Sequence, residues 1–321
     1  MCAKSWDWAR PLRGPGDPPL YFGMTRSTTA DLAVFESHRA LLVAHAYRML
    51  GDLGLAEDMV QDAWLRWEGR QVEVDSPRAY LVTLVTRLCL NELDSAKTRR
   101  EESRSDRLPE PIDLDEGGIG RVEMLDQVSM AFLVVLQRLT PAERAVLLLR
   151  DVFDFGYGEI AALVGKSEAA CRKLLERARE NVASEKRLFS TSPEVHRRLL
   201  TAFTRAATSG DLDALLAMLA DDAVMITDGG VGGRRTRGVR NLPVPLHGAR
   251  RIAAFVAATA GDSDLAVEIH ELNGQPGLVF YEEDAPFAAL LLGVADGRIL
   301  RVFFHADLAR LRYLGPRNAG S

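Results

Sequence analysis

The sequence has few of the features that mark secreted, membrane-spanning or metal-dependent proteins. It contains three cysteines, Cys2, Cys89 and Cys171, among 321 residues. They are too far apart for a zinc site, and so few thiols predict a chain without structural disulfides, as in the reducing cytoplasm. No apolar run approaches the roughly 18 residues that a membrane helix needs. We therefore expect a cytoplasmic protein with no membrane contact, no metal and no cofactor.

The first 27 residues also lack the apolar core of a secretory signal. They are rich in proline and glycine and show no hydrophobic period. Such composition predicts a disordered tail, and Met24 is an alternative to Met1 as the start.

Composition predicts a globular protein with two or three domains. Hydrophobic residues make up 47% of the chain and charged residues 26%, which is typical of folded domains. The net charge of −5 argues at first against nucleic-acid binding. The charge is segmented, however: residues 166–187 hold seven basic and four acidic residues, and residues 101–126 hold nine acidic and three basic residues. The basic segment is where a nucleic-acid contact is expected.

Hydrophobic periodicity predicts two helical domains, at residues 28–101 and 122–188, joined by an acidic linker at 102–121. In the first, Asp31 is a candidate helix cap, Gly51 ends the helix, and Ser76-Pro77 opens a later helix. In the second, Thr140-Pro141-Ala142-Glu143 has the pattern of a capping box.

In residues 193–315 the hydrophobic pattern changes from helical to mixed, and this pattern predicts an α+β domain. Two short helices precede a strand at 222–227, and a third helix covers about 249–260. Four strand-like runs follow, and Asn273-Gly274 and Asp296-Gly297 are strong hairpin signals. Helices followed by a curled antiparallel sheet indicate a cone. The predicted fold class is multidomain, with two all-α domains and a C-terminal α+β cone.

The strongest local motif is a helix-turn-helix at residues 156–175. Gly165 permits the tight turn and Ser167 can cap the second helix. The pattern places Ala170, Leu174, Leu175 and Ala178 inward and Arg172, Lys173, Arg177 and Arg179 outward. A helix with such a basic face fits the major groove of DNA. The alternative is an ordinary helical hairpin with a solvated charged face.

A second motif lies in residues 51–67. Polar and acidic residues, with two tryptophans nearby, form one helical face: Glu57, Asp58, Gln61 and Asp62. This combination suits a protein partner, although a solvated acidic face over a normal core is the alternative.

These segments resemble parts of bacterial sigma factors. Residues 56–64 resemble the second conserved region, residues 76–100 its promoter-melting part, and residues 139–178 the fourth region. Together they span about residues 30–187 in the right order. The third region of larger sigma factors is absent, so the chain is identified as a member of the extracytoplasmic-function (ECF) group.

The resemblance implies two partners, core RNA polymerase, through its beta-prime clamp and beta flap, and promoter DNA. The residues implied in polymerase binding are Asp58, Gln61, Asp62 and Leu65. Those implied near the melted minus-ten element are Arg78, Tyr80, Thr83, Arg87, Asn91 and Arg99. Those implied at the duplex minus-thirty-five element are Ser167, Glu168, Cys171, Arg172, Lys173 and Arg177. For Tyr80, a core position is an equal alternative.

Two further motifs resemble those of ECF sigma factors with a C-terminal SnoaL-like domain. The linker motif is Leu108-Pro109-Glu110-Pro111, and the loop motif begins at Asp228-Gly229-Gly230. The chain departs from the group at Val231-Gly232-Gly233 and at His305-Ala306-Asp307-Leu308. The resemblance implies that the cone packs on the sigma domains and linker and tunes their activity in cis.

An enzymatic cone is the alternative from another class. SnoaL-like cones also serve as isomerases, cyclases and hydrolases, which need an ionisable group in an apolar pocket. The candidate residues are Asp228, His247, His270 and His305. A cone that binds a small-molecule ligand as a sensor stands between the two hypotheses. A plain repressor is disfavoured, because it would not need residues 51–100.

Overall fold

The computed structural model describes most of the chain. The described residues are 29–71, 73–99, 107–113, 129–185, 188, 192–230, 235–236, 239–240, 242, 244–260 and 266–317. The predicted N-terminal tail, and the parts of the linker at 102–106 and 114–121, lie outside them. Among the described helices, none is long and apolar enough to cross a membrane.

The first helical domain consists of α1 (Thr29–Leu50), α2 (Leu53–Glu68) and α3 (Pro77–Arg99). Gly51, with φ of 69°, ends α1 as predicted, because its left-handed backbone suits a residue without Cβ. Ser76 caps α3, also as predicted, and its Oγ accepts the N–H of Ala79 at 3.4 Å. The prediction that Asp31 caps the first helix is wrong. Asp31 lies in the first turn, where its carboxylate pairs with Arg70.

The second helical domain consists of α4 (Met130–Arg138), α5 (Pro141–Asp151), α6 (Tyr157–Val164) and α7 (Glu168–Glu185). The predicted capping box is present, since Thr140 and Glu143 exchange side-chain and backbone hydrogen bonds. Gly165, with φ of 65°, makes the turn between α6 and α7. The helix-turn-helix is therefore confirmed as a structural unit.

The cone has three helices, α8 (Pro193–Ser209), α9 (Leu212–Met218) and α10 (Ala249–Ala260). Its strands are β1 (Leu219–Asp228), β2 (Arg235–Thr236), β3 (Val239–Arg240), β4 (Leu246–His247), β5 (Ala266–Leu272), β6 (Gln275–Glu282), β7 (Ala285–Ala295) and β8 (Arg298–His305). A 3-10 helix, Leu308–Arg310, follows β8.

The main sheet has the order β4-β1-β8-β7-β6-β5, and β2 pairs with β3 separately. Both predicted hairpin turns are confirmed, with φ of 50° at Asn273 and 51° at Asp296. The prediction of an antiparallel sheet is wrong for one pair of strands. β1 and β8 are parallel, so the sheet is mixed.

Successive residues of the sheet face two different apolar layers. Val302 faces a layer shared with α8 and α10, where Phe203 and Ile252 are buried. Phe303 faces the opposite layer, which contains Leu108 of the linker and Met130 of α4. The outer face of the sheet is thus covered by the rest of the protein, and the helix-side face forms the interior of the cone.

The two helical domains share one apolar cluster that extends from α1 to α7. The ring of Phe153, after α5, packs edge-on against His45 of α1, with ring centroids 4.9 Å apart. Arg144 of α5 is buried and donates to the carbonyl of Met49 in α1. The described structure is therefore a closed arrangement, in which the helical domains touch each other and the cone.

Candidate functional site: three helical faces and an interdomain clasp

The α2 face contains Asp58, Gln61, Asp62 and Leu65, all exposed. Their spacing puts them in one row along the helix, because residues three and four apart are neighbours on a helical surface. The opposite side of α2 is buried through Val60 and Ala63. Leu65 is 54% exposed, although apolar. The row has the composition of a partner surface, with an exposed leucine among carboxylates.

The α3 face has a different environment. Tyr80, Thr83 and Arg87 are half-buried and line a groove of about 500 Å³. The opposite wall belongs to the second helical domain and includes Phe155, Glu159 and Leu163. In the closed arrangement, α6 therefore lies across the residues that the resemblance assigns to the minus-ten element.

The remaining members of the minus-ten set lie apart from the groove. Asn91 is exposed. Arg78 is also exposed, and its guanidinium lies 5.7 Å from the centre of the Phe153 ring. The side chain of Arg99 lies outside the described part of the chain.

The α7 face exposes five of its six predicted members: Ser167, Glu168, Arg172, Lys173 and Arg177. The sixth, Cys171, is fully buried, so the expectation that its side chain faces the duplex is wrong. The buried row is Cys171, Leu175 and Ala178, which follows the helical period of i, i+4 and i+7. The predicted inner position at Ala170 is only half-buried.

Glu110 is the centre of an interdomain clasp, which we define as the contacts of linker residues 107–113 with the α1–α2 corner and the cone. Its carboxylate accepts the N–H of Leu53 at 2.7 Å, and its own N–H donates to the carbonyl of Gly51 at 3.0 Å. Leu53 is the first residue of α2, whose N–H has no partner within the helix. The linker therefore caps a helix of another domain.

The electrostatics of Glu110 are unusual for a glutamate. Only 1% of the residue is exposed, and this burial raises the pKa of its carboxyl to about 7. The neighbouring Asp52 raises this pKa further, whereas the Leu53 N–H, Arg310 and Arg312 oppose the shift. The carboxyl thus titrates near neutrality in the closed arrangement.

Tyr47 and Asn273 complete the clasp and were not predicted from the sequence. The hydroxyl of Tyr47 donates to the carbonyl of Glu110 at 2.7 Å and accepts from Asn273 Nδ2 at 2.8 Å. Asn273 Oδ1 accepts the N–H of Ile112 at 3.1 Å. The Asn-Gly turn was the available signal, but it indicated only a hairpin and not a side chain aimed at the linker.

The loop motif contacts the same linker. Asp228 Oδ2 accepts the N–H of Leu108 at 3.0 Å, and Oδ1 accepts the N–H of Gly230 at 3.1 Å. Burial raises the pKa of the Asp228 carboxyl. Gly230 has φ of 75°, and a Cβ there would lie 2.7 Å from the carboxyl carbon of Asp307. The motifs at 228–230 and 305–308 are therefore adjacent in space.

The residues of the linker motif are buried more deeply than Gly229 of the loop motif. Pro109 and Pro111 are buried with Leu108 and Glu110, whereas Gly229 is half-buried. Every member of the Leu-Pro-Glu-Pro motif is thus covered by the closed arrangement. The structure brings this motif together with Asp228.

The C-terminal segment, residues 308–314, also reaches the α1–α2 corner. Arg310 Nη2 donates to the carbonyl of Gly51 at 2.8 Å. Arg312 Nη2 lies 3.3 Å from Asp52 Oδ1 and 3.4 Å from Glu110 Oε1. No sequence pattern indicated these contacts, because they join residues that are 202 to 260 positions apart.

The candidate acid–base residues of the cone do not meet in its interior. Asp228 and His305 are neighbours on parallel strands, on the outer face of the sheet beneath the linker. Burial lowers the pKa of His305 to about 3, so its ring is neutral. His270 Nδ1 lies 2.7 Å from the linker carboxylate Asp113, and His247 is exposed. These four residues make no catalytic pair among the described contacts.

Comparison with known proteins gives a consistent family. The model Sigma-70 region 2 matches residues 34–99, and Sigma-70, region 4 matches residues 129–182. The probable ECF RNA polymerase sigma factor SigI of Mycobacterium tuberculosis is 33% identical over 274 residues, covering 84% of this chain and 91% of SigI.

A second relative is similar to this chain both in sequence and in its solved structure. The ECF RNA polymerase sigma factor SigJ of Mycobacterium tuberculosis is 33% identical over 285 residues, covering 84% of this chain and 89% of SigJ. The crystal structure of SigJ superposes with a TM-score of 0.64 at 27% identity, covering 87% of this chain and 97% of that chain.

The fold and the matched regions define a transcription-initiation protein with the two promoter-recognition modules of sigma-70 factors. The chain belongs to the ECF RNA polymerase sigma factors and has an α+β cone as its C-terminal domain. The helical domains are accordingly called the region-2 and region-4 domains below.

Proposed function

We propose that the α2 face binds the beta-prime clamp of core RNA polymerase and that the region-4 domain meets the beta flap. The observation that carries the first assignment is the exposed row of Asp58, Gln61, Asp62 and Leu65. A leucine that is more than half exposed is stabilised when a partner covers it. The surrounding carboxylates favour a basic partner surface and fix its orientation.

The α7 face reads the duplex minus-thirty-five element, with Arg172, Lys173 and Arg177 as its cationic side chains. All three are exposed on the second helix of the helix-turn-helix, the helix that enters the major groove in such motifs. Ser167 and Glu168 lie at the start of the same helix, where side chains reach base edges first.

The α3 face holds the opened minus-ten strand through Tyr80, Thr83, Arg87 and Asn91, with Arg78 and Arg99 as flanking cations. Aromatic and cationic side chains suit an unstacked base. Three of these residues line the groove against α6. The region-4 domain therefore has to move away before a DNA strand can reach them.

The cone tunes this opening in cis through the clasp. Glu110 and Asn273 tie linker and cone to the α1–α2 corner, and Asp228 holds Leu108. These contacts stabilise the closed arrangement, in which the region-4 domain lies across Tyr80, Thr83 and Arg87 of the α3 face. Release of the linker would weaken the contacts among all three domains at once.

The decisive experiment uses the full chain, because deletion of the cone would expose Met130 and Val134 of α4. Purified protein is mixed with core RNA polymerase, the complex is isolated, and transcription from a promoter library is sequenced. We expect a stable complex and a defined set of start sites. Absence of binding to core polymerase, or start sites identical to those of core enzyme alone, would contradict the proposal.

A further inference from the structure

The C-terminal segment lies beside the first turn of α2, next to the α2 face. The Tyr313 hydroxyl is 3.5 Å from Glu57 Oε2. Asp58, the first residue of the α2 face, lines a groove of about 510 Å³ together with Arg312 and Tyr313. The segment and the expected polymerase contact therefore share one surface.

Gly54 shows how closely the segment covers this turn. A Cβ at Gly54 would lie 2.1 Å from Arg312 Nη2 and 3.2 Å from the Tyr313 hydroxyl. The guanidinium rests directly on the helix backbone, so no other chain can lie there while Arg312 keeps its position. The clash involves the far end of a flexible side chain, which can swing away at little cost.

We propose that the polymerase-binding surface extends beyond the α2 face to the Asp52–Glu57 turn, and that the C-terminal segment and polymerase occupy this turn alternately. The inference rests on the proposed function of the α2 face. The matching polymerase surface is basic, because the turn presents Asp52 and Glu57 and the segment meets them with arginine and tyrosine.

One side of the C-terminal segment makes weak, exposed contacts with the α2 turn, and its other side is buried in the cone. Arg312 is 49% exposed, and half-exposed ion pairs are weak because water and salt screen them. Leu311 and Leu314 are buried in the apolar layer of the cone. Polymerase can therefore displace the Arg312 side chain while the backbone of the segment stays attached to the cone.

The test compares four single variants, and the double variant Gly54→Ala/Arg312→Ala, in titrations of the full-length protein with core RNA polymerase. Gly54→Ala pushes Arg312 away, and Arg312→Ala removes it. Gly69→Ala is the matched glycine control, since its Cβ would meet only the Leu65 carbonyl at 3.4 Å. Arg298→Ala is the arginine control, at the exposed first residue of β8.

We expect Gly54→Ala and Arg312→Ala each to lower the apparent Kd for polymerase by roughly three- to tenfold, because a larger fraction of the protein is competent to bind. The double variant should add little to either single change, and both controls should match the original chain. Unchanged or weaker binding in both test variants would overturn the proposal. If the original chain itself binds no polymerase, the proposed function fails instead.

Discussion

The hydroxyl of Tyr47 lies 2.8 Å from the side-chain nitrogen of Asn273, although the two residues are 226 positions apart. One belongs to the region-2 domain and the other to a hairpin turn of the cone. Because the same hydroxyl donates to Glu110, three parts of the chain meet at one oxygen atom. Such a contact specifies a single relative position of domain, linker and cone.

Asn273→Gly should loosen this junction without straining the turn, since glycine accepts the φ of 50° at this position. The variant leaves the Ile112 N–H without its acceptor and Tyr47 without its donor. We expect a loss of roughly 1–3 kcal/mol in the free energy of unfolding, measured with urea.

The control is Asp296→Gly, at the other hairpin turn, where φ is 51° and the side chain is exposed. This change should stay within about 0.5 kcal/mol, as is usual for surface positions. Equal effects of the two glycines would show that the Asn273 side chain contributes nothing to the junction.

Glu110 predicts a pH-dependent clasp. Its pKa is raised to about 7 in the closed arrangement, mainly by burial and then by Asp52. A released linker exposes the carboxyl, whose pKa returns to its ordinary value of about 4.3. At a pH between these two pKa values, Glu110 therefore takes up a proton when the linker docks. The stabilisation is complete below the ordinary pKa and is lost as the pH rises through about 7.

Glu110→Gln removes this titration and keeps the size of the side chain. Between pH 5 and pH 8 the original chain should lose unfolding free energy relative to the variant, because only the original chain carries the titrating carboxyl. The size of this loss should be on the order of 1–3 kcal/mol, given 1.36 kcal/mol per pKa unit. Parallel stability curves over this range would refute the titration of Glu110.

Asp62→Lys should abolish binding to core polymerase, because it reverses the charge at the middle of the α2 face. The side chain is exposed, so the fold should be unaffected. Asp213→Lys makes the same charge change at an exposed position of α9 and serves as the control. Normal holoenzyme assembly by the Asp62 variant, measured by gel filtration with core enzyme, would exclude the α2 face as the interface.

Arg172→Ala should lower affinity at one base pair of the promoter by roughly 1–3 kcal/mol, as expected for an arginine at a base edge. Arg172 is exposed and is oriented by Glu168, at 2.9 Å, and by the ring of Tyr157. A panel of single-base promoter variants measures the effect. A uniform loss across the panel, with a shallower salt dependence, would instead identify a phosphate contact.

Local patterns predicted most of the elements. Apolar periodicity located the helices, and the Asp-Gly and Asn-Gly pairs located two hairpin turns, because each depends only on neighbouring residues. One inner position of α7 was wrong: Ala170 was predicted to face inward, whereas its neighbour Cys171 is buried, and Leu175 and Ala178 are buried as predicted. Ala169, Ala170 and Cys171 are all small, so the hydrophobic period there has no sharp phase.

Contacts between distant segments had no local signature. The parallel pairing of β1 with β8 joins strands about 80 residues apart within the cone. The contacts of the Tyr47, Asn273 and Arg310 side chains depend on how separate domains dock. The resemblance to sigma factors supplied the linker and loop motifs, and the structure brings them together. The region-2 residues that contact those motifs could be identified only from the three-dimensional structure.

The position of β8 has a consequence for synthesis on the ribosome. This strand is the last of the sheet in sequence but lies between β1 and β7. The sheet therefore stays split until residues 298–305 have left the exit tunnel, while the two helical domains, complete by Glu185, emerge earlier. Nascent chains pass through an interval in which both promoter-recognition modules exist and the restraint that we propose for the cone does not. Termination before residue 298, where β8 begins, would make that interval permanent.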